Sequence, residues 1–80
     1  MARRFFITSY DISNDKRRDK VAKTLLGYGD RLQYSVFCCQ LNPRELLQMQ
    51  EALKELIHHE EDQIFVVDAG PVQGQTPKPN

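Results

Sequence analysis

The stretch Arg31-Leu32-Gln33-Tyr34-Ser35-Val36-Phe37-Cys38-Cys39-Gln40-Leu41 decides the fold, because it can be read as one bent strand or as two short ones. Leu32, Tyr34, Val36 and Phe37 favour extended backbone, and the pattern is interrupted around Tyr34 and Ser35. A strand and a helix are predicted before this stretch, and a helix and a strand after it. With two strands in the middle, the order becomes βαββαβ, an α+β ferredoxin-like sandwich with two helices on one face of an antiparallel sheet.

Upstream, Phe5-Phe6-Ile7-Thr8-Ser9-Tyr10-Asp11 reads as a strand in which Phe5, Ile7, Ser9 and Asp11 share one face. Ser13, Asn14 and Asp15 offer N-caps for a helix with an apolar stripe of Val21, Ala22, Leu25 and Leu26, ended by Gly27 to Gly29. Lys16, Lys20 and Lys23 fall opposite that stripe. Downstream, Asn42, Pro43 and Glu45 supply a cap, a first-turn proline and a capping box. Leu46, Met49, Leu53, Leu56 and Ile57 then trace a helix to about His58. After the acidic break Glu60-Glu61-Asp62, the apolar run Ile64 to Val67 predicts a strand buried in the middle of the structure. Residues 1–69 form the expected domain and residues 70–80 a Pro- and Gly-rich tail.

A formal net charge of zero hides an uneven distribution. Residues 1–40 carry eight basic against four acidic side chains, and residues 41–80 carry three against seven. The basic half suits an anionic partner or a solvated face. The longest apolar runs are four residues, so no membrane span is expected, and the start of the chain does not continue as a secretion signal. A cytoplasmic protein is the expectation. Cys38 and Cys39 are adjacent and point apart in a strand, so neither a disulfide framework nor a zinc site is implied. Eighty residues make a marginal core, and an uncovered sheet face would be a natural surface for a homodimer.

Asp11 is the most informative candidate, a carboxylate at the end of a strand and just before a helix, where sheet folds commonly place ligands. It can cap the loop, or it can bind Mg²⁺ if a twofold axis brings two copies together, since one carboxylate alone holds magnesium poorly. Lys16, Arg17, Arg18 and Arg31 are candidates for phosphate contacts, which would read the backbone of a nucleic acid and not its bases. Tyr10, Tyr28, Tyr34 and the four Phe residues read as core and interface and not as stacking platforms, although Tyr10, beside Asp11, is placed to reach a substrate. His58 to Asp62 lack ligand spacing and read as a charged helix end.

Together, Tyr10-Asp11-Ile12-Ser13 after a hydrophobic strand, Lys16-Arg17-Arg18, the turn Gly27-Tyr28-Gly29 and Gln33-Tyr34-Ser35-Val36-Phe37 resemble the second CRISPR-associated adaptation protein family, over about residues 4 to 68. The resemblance implies a ferredoxin-like homodimer that acquires spacers with the CRISPR integrase. It also implies that the aspartate at position 11 of both subunits holds Mg²⁺ or Mn²⁺ for phosphodiester hydrolysis, of RNA or DNA, while basic side chains grip the strand. Some members are taken to be nucleases and others non-catalytic scaffolds bridging integrase units across DNA, and Asp11 with its basic neighbours serves both. The family's last segment can pair with the other subunit; here Pro71 to Gln73 is the only candidate for such a short edge strand. A small-molecule or metal carrier on the same fold lacks the N-terminal cysteine pair expected of the latter.

Overall fold

A computed structural model describes residues 2–72 as β1 (Arg4–Asp11), α1 (Asp15–Leu26), β2 (Gly29–Gln33), β3 (Val36–Leu41), α2 (Pro43–Leu56) and β4 (Gln63–Pro71). The middle stretch is therefore two strands, with Tyr34 and Ser35 as the turn. No non-glycine residue among those described has a positive φ, so this turn does not use the left-handed backbone of the common two-residue hairpins. It is held from outside instead. The Tyr10 backbone N–H donates to the Ser35 carbonyl at 3.3 Å, and the Tyr10 hydroxyl donates to the Tyr34 carbonyl, also at 3.3 Å. An irregularity in register between Arg31 and Gln33 accommodates the bend.

The sheet runs β2-β3-β1-β4 with every neighbouring pair antiparallel, the order of a ferredoxin-like sandwich. Strand alternation assigns β1 two jobs. Phe6, Thr8 and Tyr10 are buried under the helices, and Phe5, Ile7 and Ser9 are partly buried on the other face. The core joins Phe6, Tyr10, Phe37, Cys39 and Leu41 of the sheet to Val21, Ala22 and Leu25 of α1 and to Met49 and Leu53 of α2. Leu26, assigned by periodicity to the α1 stripe, is 53% exposed.

Both helices start where their caps dictate. The Asn14 side chain accepts the Arg17 N–H at 2.9 Å. Asn42 and Glu45 exchange the two bonds of a capping box at 2.8 and 2.9 Å, with Pro43 in the first turn. At the other end of α1, Gly29 opens β2 pressed against β3. A Cβ there would stand 2.3 Å from the Cys38 carbonyl oxygen, so only glycine fits.

β4 departs from its sequence reading in two ways. It is an edge strand and is not buried in the middle: Ile64 and Val66 pack on the core, whereas Phe65 and Val67 are 50% and 58% exposed on the opposite face. It also runs through Gly70 and Pro71, beyond the expected boundary at residue 69. The chain bulges there. Phe6 faces Asp68 while Phe5 faces Gly70, Ala69 is left over, and Gly70 takes a φ of 105°. The Arg4 Nε donates to both Asp68 oxygens, at 3.1 and 2.9 Å, and the Gly70 N–H donates to one of them at 2.9 Å. These bonds hold the Asp68 carboxyl below the usual carboxylate range. The rest of the tail, including Gln73 of the candidate edge segment, lies outside the described residues.

A charged clamp joins the start of α1 to the connection between α2 and β4. The Asp62 side chain is fully buried and accepts the Arg17 Nε at 2.7 Å, the Arg17 Nη2 at 3.1 Å and the His58 backbone N–H at 2.8 Å. Glu61 accepts a further bond from Arg17 at 3.1 Å. Arg17 dominates the downward displacement of the Asp62 pKa, burial opposes it and the His58 N–H reinforces it.

Two stability predictions follow from this packing. Phe37 is fully buried, with its ring centroid 6.2 Å from that of Tyr10, so Phe37→Ala is expected to cost about 3–5 kcal/mol in urea unfolding at fixed protein concentration. Because Asp62 titrates lower when folded than when unfolded, its contribution is complete above the ordinary aspartate value of about 3.9 and is lost as pH falls through the folded value. Asp62→Asn should lower the thermal midpoint at pH 7 and flatten its decline below about pH 4. An unchanged acid limb would show that Asp62 does not drive it.

Candidate functional site

Asp11 closes β1 opposite Gln63, and strand alternation puts it on the sheet face that no helix covers. On that face Ile7 lies between Cys38 and Val67, and Ser9 lies between Val36 and Phe65. Asp11 thus stands at one end of an apolar surface made by Phe5, Ile7, Val36, Cys38, Phe65 and Val67. It is exposed and makes no hydrogen bond or ion pair with the other described residues. A hard divalent cation suits such a donor. Among the described residues no three Cys, His, Asp or Glu side chains converge on a metal position.

The four basic candidates do not gather around Asp11 as one set. Arg17 is bound to Asp62 and Glu61, which raise its already high pKa. Arg18 pairs with Asp15, donates to the Ile12 carbonyl at 3.0 Å and to that of Ser13 at 3.4 Å, and stands 5.9 Å from the centroid of the Tyr34 ring. It therefore shapes the loop that begins directly after Asp11. Arg31 sits opposite Phe37 on the edge strand β2, with its guanidinium 5.0 Å from the Phe37 ring centroid, and so lies on the helix side of the sheet. Lys16 is exposed in the first turn of α1 and joins no ion pair among the described residues. Lys20 and Lys23 are exposed further along the same helix.

Tyr10 does not face a substrate. It is 6% exposed, points away from Asp11 into the core, and its hydroxyl is spent on the Tyr34 carbonyl. The period-two rule that grouped Asp11 with Ser9 already separates it from Tyr10. Cys39 is buried, and burial pushes its thiol pKa up, as expected of a small core residue and not of a nucleophile. His58 accepts the Glu60 N–H through its own Nδ1 at 3.3 Å, consistent with a helix-end role. Two residues have partners that their sequence readings do not show: Asp62, read as part of a charged helix end, is bound by Arg17, and Tyr34, read at the break in the strand pattern, accepts the Tyr10 hydroxyl at its carbonyl.

The model of the family described as "CRISPR associated protein Cas2" matches residues 4–74. A relative from Geobacter sulfurreducens named "CRISPR-associated endoribonuclease Cas2" is 40% identical over 73 residues, which cover 91% of this chain and 77% of that protein. The crystal structure of Streptococcus pyogenes Cas2 at pH 6.5 superposes with a TM-score of 0.74 at 31% identity, over 79% of this chain and 82% of that one. A hypothetical protein TT1823 from Thermus thermophilus superposes with a TM-score of 0.80 at 35% identity, over 98% and 92% of the two chains. The family match spans the strand that carries Asp11, the hairpin at Tyr34 and the Arg17–Asp62 clamp alike, and the chain belongs to the Cas2 family of CRISPR-associated proteins.

Proposed function

We propose that this chain acts in CRISPR adaptation as a homodimer that hydrolyses phosphodiester bonds with Mg²⁺ or Mn²⁺ held between the Asp11 carboxylates of two subunits. The observation that carries the reading is the position of Asp11: the exposed, uncommitted carboxylate at the rim of an uncovered apolar sheet face. Association through Phe5, Ile7, Phe65 and Val67 would remove that surface from water, and a twofold axis near the β1 ends would double the donors at one metal. The bound cation would supply a water of lowered pKa and neutralise charge on the phosphate.

The protein's own residues do the positioning. Arg18 ties the Ile12 and Ser13 carbonyls to α1, which fixes the backbone on which Asp11 is carried. Lys16 offers an ammonium to a phosphate oxygen from the next turn. Arg17, engaged by Asp62, contributes through the clamp. Two bare carboxylates would repel a phosphate, and a divalent cation between them brings their sum to zero. Binding at this site is therefore expected to depend on metal as well as on salt. Endoribonuclease naming of the Geobacter sulfurreducens relative supports a phosphodiester hydrolase.

A second reading is favoured by Lys16, Lys20 and Lys23, an exposed stripe on α1 that joins no ion pair among the described residues. On that reading the protein is a non-catalytic scaffold that holds duplex DNA by its backbone while bridging units of the CRISPR integrase. The two readings separate in one set of variants. If hydrolysis is the function, Asp11→Ala abolishes Mg²⁺-dependent cleavage of RNA or DNA while the dimer persists in sedimentation; cleavage that survives in a rigorously purified Asp11→Ala protein contradicts it. If bridging is the function, Asp11→Ala still supports spacer acquisition, and glutamate at positions 16, 20 and 23 together stops it.

A further inference from the structure

Asp11 has a strand neighbour on one side only. β3 accompanies β1 as far as Ser9, opposite Val36, and the Tyr10 N–H makes the last contact on that side, to the Ser35 carbonyl. Asp11 lies beyond this point and pairs with Gln63 of β4 alone. Gln63 is the first residue of an edge strand, a place where pairing ordinarily frays. The position of the Asp11 backbone in the sheet therefore depends on what fixes the start of β4.

Asp62, directly before Gln63, fixes it. Its N–H donates to the His58 carbonyl at 2.8 Å and its carboxylate accepts the His58 N–H at 2.8 Å, which closes the turn between α2 and β4 on itself. The same fully buried carboxylate takes the Arg17 Nε at 2.7 Å and Nη2 at 3.1 Å, one donor on each oxygen. Arg17 is itself placed by Asn14, whose side chain accepts its backbone N–H at 2.9 Å. The two segments that flank Asp11, the entry to α1 after it and the start of β4 beside it, are thus joined by one forked ion pair. Stability alone is a poor reason to bury a charge here, because a well-packed apolar pair often serves as well. What the planar fork adds is a fixed direction and distance.

We propose that Asp62 is a positioning residue for the metal site: with Arg17 it sets the start of β4 and thereby the place of the Asp11 carboxylate relative to its copy in the second subunit. The proposal rests on the reading of Asp11 as a metal ligand and adds to it a residue that touches neither metal nor substrate. Arg17 reaches Asp62 from α1, which packs on the sheet face opposite Asp11, so the influence passes through the Gln63–Asp11 backbone pair. Ligand distances to a bound metal hold to within about 0.2 Å, and two carboxylates carried by separate chains meet that tolerance only if each backbone is held still. Loosening the start of β4 therefore costs metal affinity while the fold and the dimer persist.

The test reads Mn²⁺ affinity by electron paramagnetic resonance in wild type, Asp62→Asn, Arg17→Met, Arg17→Lys and Leu41→Ala, on samples shown to be folded by circular dichroism and dimeric by sedimentation. Leu41 is buried at the other end of the sheet, opposite Arg4, so Leu41→Ala lowers stability without touching the clamp. Asp62→Asn and Arg17→Met are each expected to weaken Mn²⁺ binding about tenfold, the scale on which removal of supporting partners loosens metal ligands. Arg17→Lys, which keeps the charge and loses the fork, falls between them and wild type, and Leu41→Ala binds as wild type does. A clamp that acted through its field would give opposite signs, since loss of the guanidinium would then tighten binding of a cation. Wild-type affinity in Asp62→Asn overturns the proposal, as does tighter binding by Arg17→Met or an equal loss in Leu41→Ala. Should Arg17→Met not fold, Arg17→Lys takes its place, and wild-type affinity there overturns the proposal equally. Mn²⁺ binding that survives Asp11→Ala refutes the Asp11 reading itself; binding lost in Asp11→Ala and intact in Asp62→Asn refutes the positioning role alone.

Discussion

Among the described residues, two helices cover one face of a four-stranded sheet and leave the other uncovered, and that one-sidedness governs the rest of the molecule. The central strand β1 has to serve both faces. Its even-numbered residues Phe6, Thr8 and Tyr10 build the core, while Phe5, Ile7 and Ser9 line the uncovered side and Asp11 ends it. The residue with the clearest chemical potential therefore stands on the face that folding of a single chain does not use. That separation explains why Asp11 has no internal partner among the described residues, and why changes at Asp11 and changes in the core are expected to act on different properties.

Charge is handled with similar economy. A basic first half and an acidic second half sum to zero, and the fold cancels much of the difference directly. Arg17 meets Asp62 and Glu61, Arg4 meets Asp68, and Arg3 meets Glu45 at 2.8 Å. Of these only Asp62 is fully buried, where removal of one partner leaves an uncompensated charge; the exposed pairs are worth little individually. Among the described residues the lysine stripe of α1, Lys16, Lys20 and Lys23, joins no ion pair.

Local signals in the sequence were sufficient for the elements and for the sheet face on which Asp11 lies. Asn14, Asn42, Pro43 and Glu45 mark the helix starts through bonds made within three residues, and alternation along β1 correctly sorts its two faces. Whatever depends on distant partners was illegible. The break at Tyr34 and Ser35 shows in the pattern, but what holds the turn there does not, because Tyr10 supplies the bonds from another strand. The bond from Arg17 to Asp62, 45 residues away, has no local signal to announce it. Ile64 to Val67 reads as a central strand because it is apolar on both faces, yet one of those faces is the uncovered one. The same exposure that misleads the pattern argument is the best pointer to a second copy of the chain.

The central claim is that two uncovered faces pair and bring two Asp11 carboxylates to one metal ion. Its most direct test is Mn²⁺ titration followed by electron paramagnetic resonance, with sedimentation on the same samples, for wild type and for a variant carrying Phe65→Lys and Val67→Lys. One Mn²⁺ per two wild-type chains is expected, with binding lost in a folded, monomeric double variant. One Mn²⁺ per chain, or undiminished binding by the monomer, would contradict it.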